Sequence, residues 1–377
     1  VNERLAGKRM VVCAGAGGVG KTTTAAALAM GLAAAGRRVA VVTIDPAPRL
    51  ADSLGLQELG NEPRLVDPAR FAGHGIEMRG ELWAMQLDPE RTLDELIEGL
   101  APDARTRDEV LSNRIYRELS GAVAGSQEFS AVAKLYDLDR SGRFDVLVLD
   151  TPPSRNALDF LDAPERLTGF FEGRGLRGLL APTGLAARVV GLGTGMVLGV
   201  LRRLTGVDLL EDLGAFLRAL TGLMDGFRER ALVVKALLRD PATTFLVVTS
   251  PEREPVEEAI FFAGKLREGA MPFGGVVVNR VHALAGGPDG DGAADGDLAA
   301  LEARLGDPVL AAKVARAHAD ERVLAQRDAA AIERLRRRTG DGGPVLVPEL
   351  DGDVHDVDGL VRVHGHLFGV VADGAER

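Results

Sequence analysis

The sequence predicts an α/β fold: a mostly parallel sheet with helices on both faces and an inserted helical subdomain. Three observations carry this. Short apolar runs recur without the alternation of a half-exposed strand, which marks strands buried on both faces. Between Met10 and Ile44 the order is strand, loop, helix, strand, a βαβ unit. Two long intervals, 90–140 and 164–238, contain no such run and read as helix.

The apolar runs are Met10–Ala14, Val39–Ile44, Leu82–Leu87, Phe144–Leu149, Thr244–Val248, Gly275–Val278 and Val345–Val347. The first leads into a helical pattern from Thr22 to Ala35 that Gly36 closes. In the strandless intervals, helices are expected at Pro89–Leu100, Arg105–Leu119, Glu128–Tyr136, Pro164–Phe171, Leu185–Leu204, Leu209–Gly222 and Phe227–Arg239. Residues 284–297 are acidic, rich in Gly and Asp, and too polar to bury a core, so a disordered surface loop is expected there. A long helix, Pro308 to Arg338, follows.

With 377 residues, the chain is long enough for two or three domains at about 150 residues each, or for one large domain with insertions. It is 46% hydrophobic and 27% charged, as an ordinary globular protein is. Its net charge of −10 excludes affinity through broad phosphate neutralisation, so no nucleic-acid partner is expected. Aromatics at 4% leave few base-stacking platforms. The single cysteine, Cys13, excludes an intrachain disulfide or a multi-cysteine metal site. The longest uncharged apolar run, Val189 to Leu201, falls short of the roughly 18 residues of a spanning helix, so no transmembrane segment is expected. Val1-Asn2-Glu3-Arg4 is not the start of a secretory signal, and a cytoplasmic protein is expected.

Chemistry concentrates after the first strand. Gly15-Ala16-Gly17-Gly18-Val19-Gly20-Lys21-Thr22 fits G-x-x-x-x-G-K-[ST]. Glycines let successive backbone N–H groups turn toward phosphate oxygens, and the following helix presents its positive end to the same anion. Lys21 would reach the β- and γ-phosphates of ATP, the Thr22 hydroxyl would bind Mg²⁺, and Thr23 would reach the α-phosphate. Gly15, Gly17 and Gly20 also fit the dinucleotide fingerprint G-x-G-x-x-G, with Asp45 placed as a ribose-binding acid. Lys21-Thr22 argues against that alternative, because a cation and a metal-binding hydroxyl suit a triphosphate better.

Asp45-Pro46-Ala47 follows the second strand, where a carboxylate can orient the attacking water. An Asp before Pro is equally a turn residue. Asp150 ends the apolar strand Val146–Leu149, the arrangement that holds Mg²⁺ through water. Thr151-Pro152-Pro153 then forces the chain out of the sheet. On this basis 1–89, 141–163, 240–283 and 340–377 form a discontinuous P-loop core. Residues 90–140 and 164–239 form the helical subdomain, and 298–339 packs on the core.

As a set, Gly-x-Gly-Gly-Val-Gly-Lys-Thr at 15–22, Thr-x-Asp-Pro-Ala at 43–47 and Asp-Thr-Pro-Pro at 150–153 resemble the ArsA-type ATPases. These include arsenite-pump ATPases and ATPases that target tail-anchored membrane proteins. Leu82–Pro89 and Asp159–Pro164 resemble further family segments. The resemblance implies a parallel P-loop domain with a helical subdomain, and a dimer that opens and closes with ATP hydrolysis. It implies that Asp45 lies in a first switch and positions water, and that Asp150 to Asn156 form a second. It also matches Asn279 to the family's adenine-contacting Asn; a strand-end turn residue is the alternative.

Three departures stand out. Ala16 replaces a Lys that reaches across the dimer, Pro48 replaces a His, and Ser154-Arg155-Asn156 replace Thr-Gly-His. The family's metal- and metalloid-binding cysteines are also absent; Cys13 reads as a core residue. The expected function is a slow ATPase that gates a protein partner or hydrophobic client, as a homodimer or as a heterodimer with a related subunit. A nucleotide-binding regulatory subunit is the alternative. A small-molecule kinase would need an Arg-rich lid that the sequence lacks. The nearly all-apolar segment Leu185 to Leu204 reads either as subdomain core or as a client surface.

Overall fold

The computed structural model describes residues 1–114, 116–117, 126–152, 223–282 and 298–369. Eight strands form one sheet: β1 (Met10–Ala14), β2 (Arg38–Thr43), β3 (Arg64–Leu65), β4 (Glu81–Gln86), β5 (Val146–Asp150), β6 (Thr243–Thr249), β7 (Phe273–Val281) and β8 (Val345–Pro348). Their order is β3-β4-β2-β5-β1-β6-β7-β8, parallel except for β3 against β4. All seven apolar runs are strands of this sheet. The additional one, β3, is two exposed residues, too short to leave a hydrophobic pattern.

The non-alternating runs have the reason inferred from sequence. Along β1, Val11 and Cys13 enter the core on one face, while Met10, Val12 and Ala14 enter it on the other. Both faces are covered, so neither set of side chains can be polar. On the first face lies helix Lys21–Ala34, itself covered by helix Val357–Phe368. Being enclosed, it is apolar on almost every side and rich in alanine. Gly31 lets the outer helix approach, since a Cβ there would lie 2.3 Å from a ring carbon of Phe368. On the second face, helices Met224–Arg239 and Arg253–Glu268 pack over β6, joined by Ala131, Val132 and Leu135 of helix Ser126–Ser141.

Local chemistry sets the helix ends. Asp88 caps helix Pro89–Leu100 by accepting from the Arg91 amide, with Pro89 in the first turn. Asp307 and Pro308 start the long helix Pro308–Thr339, and Gly340 ends it with a positive φ. Of the helix expected over Arg105–Leu119, Ala104–Leu111 is helical, the chain gives way at Ser112 and Asn113, Arg114, Tyr116 and Arg117 are helical again, and 115, 118 and 119 lie outside the described residues. Ser112 Oγ donates back to the Asp108 carbonyl, the kind of local bond that competes with helix propagation. The helices expected at Pro164–Phe171, Leu185–Leu204 and Leu209–Gly222, and the loop 284–297, lie outside the described residues. Among the described residues, no helix is long and apolar enough to cross a membrane.

Candidate functional site

The loop Gly15–Gly20 joins the central strand β1 to helix Lys21–Ala34. Two of its glycines, Gly15 and Gly20, are sterically required. A Cβ on Gly15 would lie 1.9 Å from the Val248 carbonyl oxygen of β6. Gly20 has φ +91°, and a Cβ there would lie 2.3 Å from Asn279 Nδ2. No side chain caps the start of the helix, and Gly17, Gly18, Gly20, Lys21, Thr22 and Thr23 line a cavity of about 740 Å³. Uncapped helical amides at a cavity are a site for an anion. Val19 turns into the core, and its carbonyl accepts from Asn279 Nδ2 at 2.9 Å.

Parallel registry assembles the rest. Asp150 at the end of β5 lies beside Cys13 of β1 and Thr43 of β2. Its Oδ2 accepts from Thr22 Oγ1 at 2.7 Å and from Thr43 Oγ1 at 2.8 Å. Its Oδ1 is buried and has no hydrogen-bond partner. Burial pushes this carboxyl up to about 6, against the opposing pull of the two hydroxyls and Lys21. Cys13 is fully buried, as expected of a core residue, and burial beside Asp150 raises its thiol pKa.

Lys21 is also nearly enclosed. Its Nζ donates to the Ala16 carbonyl at 2.6 Å, folded back on the loop. Burial holds its pKa below the usual lysine range, while Asp150 and Asp45 pull it back up. Asp45 lies just past β2 on the cavity wall. Its Oδ1 accepts from the Ala47 amide at 3.0 Å and its Oδ2 from Arg49 at 2.8 Å.

Every site residue expected from sequence therefore lies at or directly beneath the loop and its cavity. Asn279 differs in local setting: β7 continues to Val281, so Asn279 is a strand residue facing the loop, not a strand-end turn. Beyond it the register of β7 against β8 shifts, and Arg280 takes φ +59° and lines the cavity. Residues given no role of their own from sequence are Thr43, the first residue of the Thr-x-Asp-Pro-Ala motif, which bonds Asp150, and Arg49, Arg280 and the segment Pro348–Val354, which forms the outer wall. Arg49 and Arg280 each adjoin a recognised motif. The acidic wall segment carries only a weak family resemblance, running over about Val345–Leu360, and the pairing of β8 with β7 brings it to the site. Ala16 lines a second hollow of about 460 Å³, edged by Glu252, Arg253, Glu254 and Glu258, which shares Gly17 with the cavity.

Residues 8–286 match the family model described as anion-transporting ATPase. This chain belongs to the anion-transporting ATPase family. It is 29% identical over 276 residues to ATPase ARSA2 of Chlamydomonas reinhardtii, covering 72% of this chain and 68% of that protein. It is 33% identical over 159 residues to ATPase get3 of Aspergillus terreus, covering 41% and 43%. To ATPase ARSA1 of Chlamydomonas reinhardtii it is 27% identical over 336 residues, covering 80% of this chain but 39% of the relative. The chain thus spans about two thirds of one of these relatives and less than half of the other two. Membership places the chain among ATPases.

A family ATPase usually employs Mg²⁺, and the donor set here fits that ion. Thr22 gives its hydroxyl proton to Asp150 and keeps its lone pairs for a cation at the cavity. The unpartnered Asp150 Oδ1 is an acceptor suited to a metal-bound water.

Proposed function

We propose that the chain is a Mg²⁺-dependent, nucleotide-switched ATPase, converting ATP to ADP and phosphate. We further propose that it works as a dimer and gates a protein partner or hydrophobic client. The observation that carries the catalytic reading is the convergence of Lys21, Thr22 and Asp45 on one cavity, with Asp150 bonded to Thr22 beneath it. The sheet order supports a direction for the nucleotide. Phosphates over the loop after β1 would have Asp150 and Asp45 on the β5–β2 side and Asn279 on the β7 side. The metal end, and with it the terminal phosphate, then points toward Asp45, and the base toward Asn279 and the Pro348–Val354 wall.

In this reading Thr22 and, through water, Asp150 hold Mg²⁺, which neutralises charge on the phosphate oxygens. Lys21 leaves the Ala16 carbonyl for the β- and γ-phosphates. Asp45 orients the attacking water and accepts its proton. Phosphate release from the purified chain, with Lys21→Ala as control, tests the assignment. No release above that control would reject it.

A nucleotide-binding subunit with little turnover of its own is the second reading, and Ala16 favours it by leaving the loop without its cross-dimer cation. Adding a paralogue with Lys at that position separates the two: turnover that appears only in the mixture supports the second. The client proposal rests on the family resemblance and on the apolar sequence Leu185–Leu204, which lies outside the described residues. Nucleotide-dependent binding of a transmembrane-segment peptide, lost in Val197→Asp without a fall in Tm, tests it.

A further inference from the structure

Arg49 stands one helical turn beyond Asp45, at the start of helix Arg49–Ser53. Both oxygens of the Asp45 carboxylate are engaged, one by the fixed Ala47 amide and the other by the Arg49 guanidinium. The side chains are unequally anchored: Arg49 is 66% exposed and Asp45 25%. An exposed ion pair at this spacing is weakly held. Both groups line the same cavity as Lys21 and Thr22.

A terminal phosphate in that cavity would offer the guanidinium a doubly charged partner suited to bidentate contact. Among the described residues, Lys21 serves the same phosphates from the loop, and the remaining arginine on the cavity is badly placed to reach the terminal one. Arg280 is on β7, three strands beyond β5, and faces Asp353 at 3.9 Å. Position 16 carries no charge. On the β2 side, Arg49 is the exposed cation, among the described residues, on the cavity wall beside Asp45.

We infer that Arg49 exchanges Asp45 for the terminal phosphate of bound ATP, and that this exchange frees the Asp45 carboxylate to receive the proton of the attacking water. The inference rests on the ATPase reading. In the step, the water oxygen bonds to the γ-phosphorus as the bond to the β–γ bridging oxygen breaks. The electron pair leaves on ADP, and the water proton passes through Asp45 to solvent, so ATP and water give ADP, phosphate and a proton. Arg49 forms no covalent bond and balances charge on the γ-oxygens. With ADP bound there is no γ-phosphate, and Arg49 returns to Asp45. The pair is thus a latch that reports which nucleotide is present.

The test compares the affinities of ADP and a non-hydrolysable ATP analogue, by calorimetry with Mg²⁺, alongside steady-state phosphate release. Arg49→Ala is expected to weaken analogue binding about tenfold, the loss typical of one charge-assisted contact, with ADP binding within about twofold of wild type. Its kcat should fall about a hundredfold. Arg49→Lys should recover part of the analogue affinity. Asp45→Asn should strengthen analogue binding severalfold by releasing Arg49, and Asp45→Asn/Arg49→Ala should lose that gain. Arg49→Gln, which keeps length without charge, serves if Arg49→Ala fails to fold. Equal effects on both nucleotides, or none on kcat, overturn the latch. A wild-type chain that binds neither nucleotide overturns the ATPase reading and the latch with it. Lys21-dependent binding that is blind to Arg49 overturns only the latch.

Discussion

Thr22 and Asp150 are 128 residues apart in the chain, yet Thr22 Oγ1 donates to Asp150 Oδ2 at 2.7 Å. The pairing of β1 with β5 creates this contact by placing Cys13, at the mouth of the phosphate loop, beside Asp150. Thr43 donates to the same oxygen from β2. The carboxylate is thereby fixed from both sides, with one oxygen left over.

The first prediction concerns metal dependence. Thr22→Ala removes both the cavity-facing oxygen and the donor that orients Asp150. ATP affinity should then become nearly independent of Mg²⁺, whereas Thr22→Ser should retain most of the dependence. The outer-shell contact is expected to be worth about 10–100-fold in metal affinity. Calorimetric titrations with and without Mg²⁺ measure it, and a Thr22→Ala variant with wild-type Mg²⁺ dependence would contradict the assignment.

A second prediction follows from Asp150, whose pKa burial raises from 3.8 to about 6. The folded state therefore binds this proton more tightly than the unfolded chain does. The resulting stability is fully present below about pH 3.8 and is lost as pH rises through about 6. At pH 7.5 the nucleotide-free protein carries a buried, ionised carboxylate at a cost of at most about 3 kcal/mol. Asp150→Asn should accordingly raise the Tm of the nucleotide-free protein at pH 7.5, and the advantage should vanish toward pH 4. Part of the gain is offset because the new amide N–H groups lack an acceptor. Thermal melts across pH 4–8 check this; a difference that does not vary with pH would count against it.

How much of this was legible beforehand depends on whether the signal was local. The strand Met10–Ala14 and its loop declare themselves, because burial on both faces removes alternation and phosphate cradling demands glycine at set spacings. Asp45 and Asp150 are visible because a carboxylate ending an apolar strand is conspicuous. The bond between Thr43 and Asp150 was not visible, since a Thr at a strand end is ordinary until a neighbouring strand is in register with it. Pro348–Val354 carries no chemical motif, and sheet order brings it to the cavity. Asn279 was placed at a strand end because the apolar run stops at Val278, while backbone pairing with β8 carries β7 on to Val281.

Separate substitutions should divide binding from turnover. Lys21→Ala deletes the nearly buried cation of the loop and should abolish tight ATP binding. Asp45→Asn keeps the size of the side chain and should leave ATP binding at least as tight as in the wild type while slowing phosphate release by about a hundredfold or more, the usual contribution of a general base. Asp45→Asn turnover at the wild-type rate would remove Asp45 from the mechanism.

The glycines of the loop offer a steric check. In Gly20→Ala the new Cβ meets Asn279 Nδ2 at 2.3 Å while the backbone sits at φ +91°. The expected cost is about 1–3 kcal/mol, together with loss of the Asn279–Val19 bond. Asn279→Ala relieves the collision but not the φ strain. The double variant should therefore recover only part of the lost Tm, and complete recovery would show that the backbone at Gly20 is unstrained.

The last prediction concerns Ala16. It is only 7% exposed and its carbonyl accepts from Lys21, so the position is already tied into the loop. It also adjoins the hollow edged by Glu252, Arg253, Glu254 and Glu258. A lysine placed there has two destinations: the carboxylates of its own chain, or the phosphates bound by a second subunit. Bound ATP carries about four negative charges, and a preorganised cation at the reacting phosphates typically contributes a hundredfold or so. If the site is shared between subunits, Ala16→Lys should raise kcat by about tenfold or more, and the gain should grow with protein concentration as the dimer forms. A gain independent of concentration would place the new cation within its own chain. If turnover stays at the wild-type level across the whole concentration range, and no Lys-bearing paralogue stimulates the native chain, the shared-site proposal fails.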